Sequence, residues 1–466
     1  MQLKDKKVLV IGAAVTGVPV VKELSRLGAS IILNDSKKVE DLKEVIAEIE
    51  HLPIRLVAGG HPVELASDCD FVVVSPGVPL DIPLVQYAKA LGKEVVSEIE
   101  LAFRLTSTPI VAITGTNGKT TTTALLGEIM KASKRKTFIT GNIGHAMILE
   151  VENSKPEDVF VLEVSSFQLE STANFKPKVS AILNITPDHL NRHKTMENYI
   201  DTKCKVFINQ EAEDYTILNG DDSETSKLTD RPRSKVLLFS RKKPVDEGAY
   251  IENDHLVIKI GNKKETIIHK DKIYIPGNHN LENSLAAALM AYCLGVEASV
   301  IAEALESFRG VEHRIEFVSE LNGVIYYNDS KGTNTDASIK AIEAMKRPTV
   351  IIAGGYDKGS EFDDFIEAFG NIIKHMVLIG KTADKLEETA HKHGFMKTHK
   401  VKGLREAVKK SQELAEQGDC VLLSPACASY DMFSNYEERG RLFKEYVREL
   451  KAKEIGTKTT EDTEIH

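Results

Sequence analysis

Residues Ile110 to Leu126 constrain this chain more than any other stretch: Ile-Val-Ala-Ile-Thr-Gly-Thr-Asn-Gly-Lys-Thr-Thr-Thr-Thr-Ala-Leu-Leu. An apolar strand runs into a glycine-bearing turn and then into a run able to start a helix, which is the layout of a phosphate-binding loop. Gly115 and Gly118 let the backbone curl so that successive N–H groups face one anion, and the helix starting near Lys119 adds its positive dipole end. Lys119 is placed to meet β- and γ-phosphates, and Thr120 offers a hydroxyl to Mg²⁺. The pattern departs from the usual eight-residue form at one point, with Ile113 standing where its first glycine would be. The Gly-Lys-Thr triplet after an apolar strand still favours ATP or GTP as the ligand.

A chain of 466 residues is long enough for about three domains. Its 42% hydrophobic content supports real cores, and no apolar run approaches a membrane span. The start, Met-Gln-Leu-Lys-Asp-Lys-Lys, leads straight into a strand and lacks the apolar core of a signal peptide, so a cytosolic location is expected. Five cysteines are scattered without a Cys-x-x-Cys pair, suggesting neither a disulfide framework nor a zinc site. Sixty basic and 69 acidic residues, mixed along the chain, give a net charge of −9 and argue against nucleic acid as the main partner. An anionic substrate must therefore be caught by local pockets.

From Lys7 to about Ser97, apolar runs at Val8–Ile11, Ser30–Leu33, Ile54–Val57, Phe71–Val74 and Glu94–Val96 alternate with helical patterns, the βαβ rhythm of a doubly wound sheet. Gly12-Ala13-Ala14-Val15-Thr16-Gly17 follows the first strand and resembles a dinucleotide fingerprint whose middle glycine is Ala14, which weakens NAD as the ligand. Asp35 ends the second strand where a ribose-binding acid would stand, and the turn Ser75-Pro76-Gly77-Val78-Pro79 follows the fourth. A nucleotide-like ligand or an ordinary α/β turn fits this segment about equally.

The central block spans about Glu98 to Arg309. Buried strands at Val159–Val164 and Val179–Ile185 end at Glu163 and shortly before His189, where Mg²⁺ ligands and water-positioning groups belong beside a phosphate loop. Lys203 lies on a helical stretch, Thr195–Asn209, and is by default a surface charge. Residues Ala249–Ile260 read as a hairpin around Asn253-Asp254. Asn280 and Asn283 lie three apart on one face of the first turn of an alanine-rich helix, Ser284–Leu294, and either read a base edge or cap that helix. From about Gly310 a third βα series begins, with strands at Val324–Tyr327, Thr349–Ala353, Met376–Ile379 and Cys420–Leu423. Polar clusters at 328–334, 354–359 and 424–431 follow these strands, so they should gather on one sheet edge. The expected fold is therefore α/β in three domains, each with a mostly parallel sheet flanked by helices. They are a Rossmann-like domain over residues 1–97, a P-loop domain over 98–309 and a Rossmann-like domain over 310–466.

Taken together, Thr114-Gly-Thr-Asn-Gly-Lys-Thr-Thr121, Glu163 before Ser165-Ser166, Asn184-Ile-Thr-Pro-Asp-His-Leu190, Gly277 with His279-Asn280 and Asn283, His313-Arg314 and Asn328-Asp-Ser-Lys-Gly-Thr333 resemble the Mur ligase family. The match runs in order along nearly the whole chain. Within the family, the Ser75-Pro76-Gly77 turn, the Gly355–Lys358 loop and the 424–440 segment resemble the D-glutamate-adding branch, and the Asp-Asn-Pro-Arg tetrapeptide of diamino-acid-adding members is missing. The resemblance implies a ligase that consumes ATP to join UDP-N-acetylmuramoyl-L-alanine to D-glutamate, in cytoplasmic peptidoglycan precursor synthesis. It also implies three domains that hold UDP-sugar, ATP and amino acid respectively; separate domains for ATP and amino acid imply closure before chemistry, and a monomer is expected.

The same resemblance implies roles for named residues. Gly115, Thr116, Asn117, Gly118, Lys119, Thr120 and Thr121 would hold the ATP phosphates, Asn280 and Asn283 the base, and Arg314 and Asp329 the ribose and phosphates. Thr120 and Glu163 would bind a first Mg²⁺; His189 and a Lys203 carbamylated by CO₂ would support a second. Lys119, His189 and Lys203 would thus be the catalytic set. Asp35 and Ser36 would meet uracil, Ser75 and Gly77 the diphosphate, and Asn142 the muramoyl arm, with Thr16 and Ser165 as further substrate contacts. Lys331, Thr333, Lys358, Ser429 and Tyr436 would form the amino-acid pocket, where two cations suit the two carboxylates of glutamate. A P-loop phosphotransferase, an NAD(P) oxidoreductase and a related ligase such as a folylpolyglutamate synthase are the alternatives.

Overall fold

A computed structural model describes residues 3–13, 16–356 and 359–461. The chain forms two compact units, Met1–Ile273 with Glu282–Phe308, and Tyr274–Leu281 with Arg309–His466.

The first unit holds two sheets. Strands β1 (Lys7–Ile11), β2 (Ser30–Asp35), β3 (Ile54–Ala58), β4 (Phe71–Val74) and β5 (Glu94–Val96) pair in the order 3-2-1-4-5, all parallel. Strand order reverses between β1 and β4, and the turns that follow these two strands are the glycine turn at Gly12 and the Ser75–Pro79 turn. That crevice is where open α/β sheets take ligands. The second sheet comprises β6 (Ile110–Thr114), β7 (Thr137–Gly141), β8 (Val159–Glu163), β9 (Val179–Ile182), β10 (Tyr215–Asn219), β11 (Lys235–Ser240), β12 (Gly248–Glu252), β13 (His255–Ile260) and β14 (Lys263–His269). Its order is 14-13-12-11-10-9-6-8-7, parallel from β7 to β12 and antiparallel for the last two pairs. The β12–β13 hairpin turns through Asn253 and Asp254, whose φ values of 47° and 61° are the two left-handed positions of a type I′ turn. The phosphate-loop strand β6 lies between β9 and β8 and is wholly buried.

A single apolar core joins the two sheets, running from Val8, Val20 and Leu24 through Ile99 and Leu101 to Phe160, Phe175 and Phe207. The helix Glu98–Leu105 is its hinge-pin: Ser97 caps it through Glu100 N–H, and the buried Glu100 carboxylate accepts from the N–H groups of Ala173, Asn174 and Phe175 and from Arg104 Nε at 2.7–3.0 Å.

In the second unit β15 (Glu316–Leu321), β16 (Val324–Asn328), β17 (Thr349–Ala353), β18 (Ile373–Leu378), β19 (Thr398–Lys400) and β20 (Cys420–Leu423) pair in the order 15-16-20-17-18-19, with β15–β16 antiparallel and the other pairs parallel. Alternate residues feed two cores. Ile351, Ala353, Met376, Leu378 and Leu422 face Phe362 and Phe365, whereas Val350, Ile352, Val377, Val421 and Leu423 face Phe443 and Val447. A strand covered on both faces reads as a continuous apolar run, which is why these strands are visible in the sequence.

Two expectations change. The helix after β14 is Asn278–Cys293, beginning six residues before Ser284, so Asn280 and Asn283 lie within it and do not cap it. Strands β7, β10, β11, β14, β15 and β19 were not anticipated, since polar residues interrupt most of them. Replacing Glu100 with alanine strands three backbone donors and half of Arg104's pairing, so denaturant unfolding should show a loss of about 3–5 kcal/mol.

Candidate active site

At the end of β6 the chain passes through Gly115 at φ 150° and Gly118 at φ 81°, conformations that admit glycine readily, and then enters the helix Lys119–Ala132. The loop is held from outside by the segment after β9. Asn184 accepts from Asn117 N–H at 2.8 Å through its side chain and from Thr116 N–H at 3.0 Å through its carbonyl. Thr116 Oγ1 donates to Thr186 O and accepts from Thr186 N–H, at 3.1 and 3.0 Å. A Cβ on Gly118 would sit 2.4 Å from Asn283 Oδ1, the atom that also accepts from Thr122 Oγ1 at 3.2 Å. Asn283 therefore packs directly on the start of the loop helix. Lys119 curls back so that Nζ donates to Gly115 O at 2.9 Å and Thr116 O at 2.7 Å. Thr120 is half-buried and Thr121 buried.

Glu163 ends β8 and is buried. Its Oε1 accepts from Asn142 Nδ2 at 3.1 Å, and its backbone carbonyl accepts from Asn142 N–H at 2.9 Å. Gly141 permits that approach, because a Cβ there would lie 2.2 Å from Glu163 O. Glu163 Oε2 is buried without a hydrogen-bond partner. A buried carboxylate oxygen left so is costly unless something cationic completes it, and a carboxylate at a strand end beside a phosphate loop is a suitable Mg²⁺ ligand. The Glu163 carboxylate therefore fits a divalent cation.

Lys203 corrects its default assignment as a surface charge: it is 1% exposed, because the helix Met196–Cys204 turns it inward. Its Nζ donates to Gly115 O at 2.9 Å, the same carbonyl that Lys119 uses, and lies 4.6 Å from the centre of the Tyr199 ring. Burial first, and then the neighbouring Lys119, push its pKa well below the ordinary lysine value, with Asp188 opposing. His189 stands at φ 52° ahead of a short helix, Leu190–His193, its half-exposed ring 4.8 Å from that of Phe167 and 3.5 Å from Asp188. Ser165 caps the following turn by accepting from Gln168 N–H.

In the first sheet, Ser75 Oγ donates to Gly12 O at 3.0 Å and accepts from Thr16 Oγ1 at 3.1 Å, so the two turns at the crevice are joined. Gly17 makes room for Gly12 O, which a Cβ would meet at 1.9 Å. Asp35 is buried and both carboxylate oxygens already accept N–H groups, from Ala13 and Lys37; Ser36 and Gly77 are exposed beside these turns.

In the second unit Arg314 lies 3.6 Å from Asp329, which is fully buried and accepts from Ser424 Oγ at 2.8 Å. Burial raises the Asp329 pKa to about 6 against the opposing pull of Arg314. Lys331 Nζ lies 5.5 Å from the centre of the Tyr436 ring, and Tyr436 O accepts from Ser330 Oγ. Thr333 N–H donates to Lys331 O, and Ser429 O accepts from the N–H groups of Met432 and Phe433. The buried Arg439 ties Ser330 to the carbonyls of Cys427 and Ala428 beside Ser429. Asn280 Nδ2 donates to Pro276 O. Lys358 lies outside the described residues.

Three descriptions match along the chain: the Mur ligase MurD-like N-terminal domain over residues 6–97, the Mur ligase middle domain over 113–291 and the Mur ligase glutamate ligase domain over 313–427. Among curated relatives, the UDP-N-acetylmuramoylalanine--D-glutamate ligases of Alkaliphilus oremlandii (strain OhILAs) and Clostridioides difficile (strain 630) are 55% and 51% identical, each covering 97% of this chain and 100% of the relative. The chain belongs to the Mur ligase family. Solved Mur ligases share the fold at lower identity: Thermotoga maritima UDP-N-acetylmuramate-alanine ligase has a TM-score of 0.59 at 20% identity, covering 95% of this chain and 99% of that one. The MurF ligase of the same organism, solved with ADP, has a TM-score of 0.58 at 18% identity, with 96% of each chain covered.

Reading this Mur ligase by sequence missed the supports around the loop. Asn184 and Arg439 sit inside motifs that were recognised but had no role assigned to them, and Tyr199, whose hydroxyl lies 3.3 Å from Thr116 Oγ1, carries no local signal. Asp329 supplies a pH test. Its folded pKa of about 6 exceeds the unfolded value, so its stabilising contribution is present below about pH 4 and is lost as pH rises through 6. Unfolding free energies measured from pH 4 to pH 7 should fall more steeply in the native protein than in Asp329→Asn, by about 3 kcal/mol at most.

Proposed function

We propose that this chain is an ATP-dependent carboxylate–amine ligase that adds D-glutamate to UDP-N-acetylmuramoyl-L-alanine. The observation that carries the proposal is the pairing of the Lys119 loop with a buried Glu163 whose Oε2 lacks a partner, in a chain that aligns end to end with D-glutamate ligases. A carboxylate and an amine do not condense in neutral water, so the L-alanyl carboxylate first takes the γ-phosphoryl group of ATP. The D-glutamate amine then attacks the acyl phosphate, and phosphate leaves.

The loop amides from Asn117 to Thr120 and the Lys119 ammonium bind the phosphates and hold the transferred group in line. Lys119 exchanges its two loop carbonyls for phosphate oxygens. Bound Mg²⁺ would supply charge neutralisation between phosphates and carboxylate, one ion on Thr120 and Glu163 and a second on His189 and a modified Lys203. Burial supports that modification, since it lowers the Lys203 pKa and so favours the neutral amine, the only form that adds CO₂, forming an N–COO⁻ group and releasing a proton. Asn283 and Asn280 take the base, and Arg314 and Asp329 the ribose and phosphates. Thr16, Asp35, Ser36, Ser75 and Gly77 take the UDP moiety, with Asn142 and Ser165 along the muramoyl arm. Lys331, Thr333, Lys358, Ser429 and Tyr436 take D-glutamate. In this reading residues 1–97, 98–309 and 310–466 are the UDP-sugar, ATP and amino-acid domains of a cytoplasmic monomer. Among the described residues no helix is long and apolar enough to cross a membrane.

One panel assay tests the proposal. ADP release with UDP-N-acetylmuramoyl-L-alanine should depend on D-glutamate and be at background with L-glutamate, L-alanine or a diamino acid; turnover with one of those instead would overturn it. For Lys203, ¹³C-bicarbonate should give a protein-bound carbamate NMR signal that Lys203→Met lacks, together with activity reduced at least about a hundredfold, on the scale of losing an electrostatic stabiliser.

A further inference from the structure

Arg192 sits where two parts of the first unit meet and has no part in the roles assigned above. Its Nη2 donates to Val78 O at 3.0 Å, closing the turn whose Ser75 and Gly77 are assigned to the diphosphate. Val78 N–H in turn donates to Ser75 O at 3.0 Å, so the carbonyl held by Arg192 belongs to the same hydrogen-bonded turn. Nε and Nη2 also reach both oxygens of Glu170, Nη2 at 2.6 Å, with both side chains largely buried. This forked pairing leaves a donor for the carbonyl, a geometry lysine cannot reproduce.

At its other end Arg192 belongs to the short helix Leu190–His193 that His189 precedes, and its N–H donates to His189 O at 2.9 Å. Its guanidinium lies 5.1 Å from the centre of the Phe167 ring, which also meets the rings of His189 at 4.8 Å and His193 at 5.6 Å. His193, buried, makes a 2.9 Å hydrogen bond with Ser166 Oγ and lies 3.6 Å from Glu170. One guanidinium thus touches the diphosphate turn, the carboxylate that anchors it and the aromatic ring against which His189 rests.

We infer that Arg192 is a positioning residue that couples the Ser75–Val78 turn to the His189 loop, so that seating the UDP-sugar diphosphate sets the imidazole. The inference rests on the ligase reading. A brace that served the fold alone would lower stability and depress all kinetic constants together. A coupling brace moves two of them selectively: the KM for the UDP-sugar substrate and the Mg²⁺ concentration at half-maximal rate. Linkage ties the two binding free energies together, since each ligand must help the other to bind through the same contact.

The experiment compares native protein with Arg192→Lys and with Arg192→Met combined with Glu170→Leu, the latter removing both charges so that no buried carboxylate is stranded. Both variants should show the UDP-sugar dissociation constant, measured by calorimetry without turnover, together with the UDP-sugar KM and the Mg²⁺ half-saturation, raised about tenfold, the scale of one charge-assisted hydrogen bond, while the ATP KM stays within about twofold. The native enzyme's Mg²⁺ requirement should fall as UDP-sugar saturates, and the variants should lose that dependence. Folded variants whose UDP-sugar KM and Mg²⁺ response match the native enzyme overturn the coupling, as does an equal loss across all three ligands. Native protein that neither turns over the UDP-sugar nor binds UDP in calorimetry would instead overturn the ligase reading.

Discussion

Two lysine amines converge on one backbone carbonyl, Gly115 O, each at 2.9 Å. Most of the site follows from that constraint. Two ammonium groups so close in a buried place repel each other strongly, since Coulomb energy grows as the effective dielectric falls. The molecule resolves the conflict by burying one partner: Lys203 is inward on its helix with its pKa depressed, while Lys119 sits on the half-buried rim of the loop. Burial thus disfavours the ammonium form of one amine and leaves the other at the rim.

That arrangement is possible because β6 is flanked on both sides. From β9 comes the 184–186 segment that grips Thr116 and Asn117; from β8 comes Glu163, with Asn142 folded over it by way of Gly141. Each support is a backbone or short side-chain contact to a loop whose conformation two glycines permit. The acid-rich helix Glu98–Leu105 then fixes this sheet to the first, so the strands that lead into the crevice turns and into the phosphate loop share one continuous core.

Strands covered on both faces were legible as apolar runs, and Phe71–Val74, Thr349–Ala353 and Cys420–Leu423 fall where the sequence places them. Edge and half-covered strands such as β7 and β19 were not, because their polar residues look like loop. The phosphate loop was legible because glycine spacing and a following lysine encode its chemistry locally. The burial of Lys203 was not: its surroundings are assembled from β6 and the helix Met196–Cys204, 88 residues apart in sequence at the contact. Resemblance to a family supplied a role for it that spacing could not, and Arg192 and Tyr199 stayed invisible for the same long-range reason.

The contact between Gly118 and Asn283 joins two jobs that are usually discussed apart. The asparagine oxygen fills the volume where any other residue at 118 would carry its first side-chain carbon, and Thr122 pins the same oxygen. Any side chain at 118 would have to displace that oxygen and with it the Thr122 contact, so the turn and the helix behind it would be disturbed together. The shape of the loop is in that sense written partly in the absence of a methyl group.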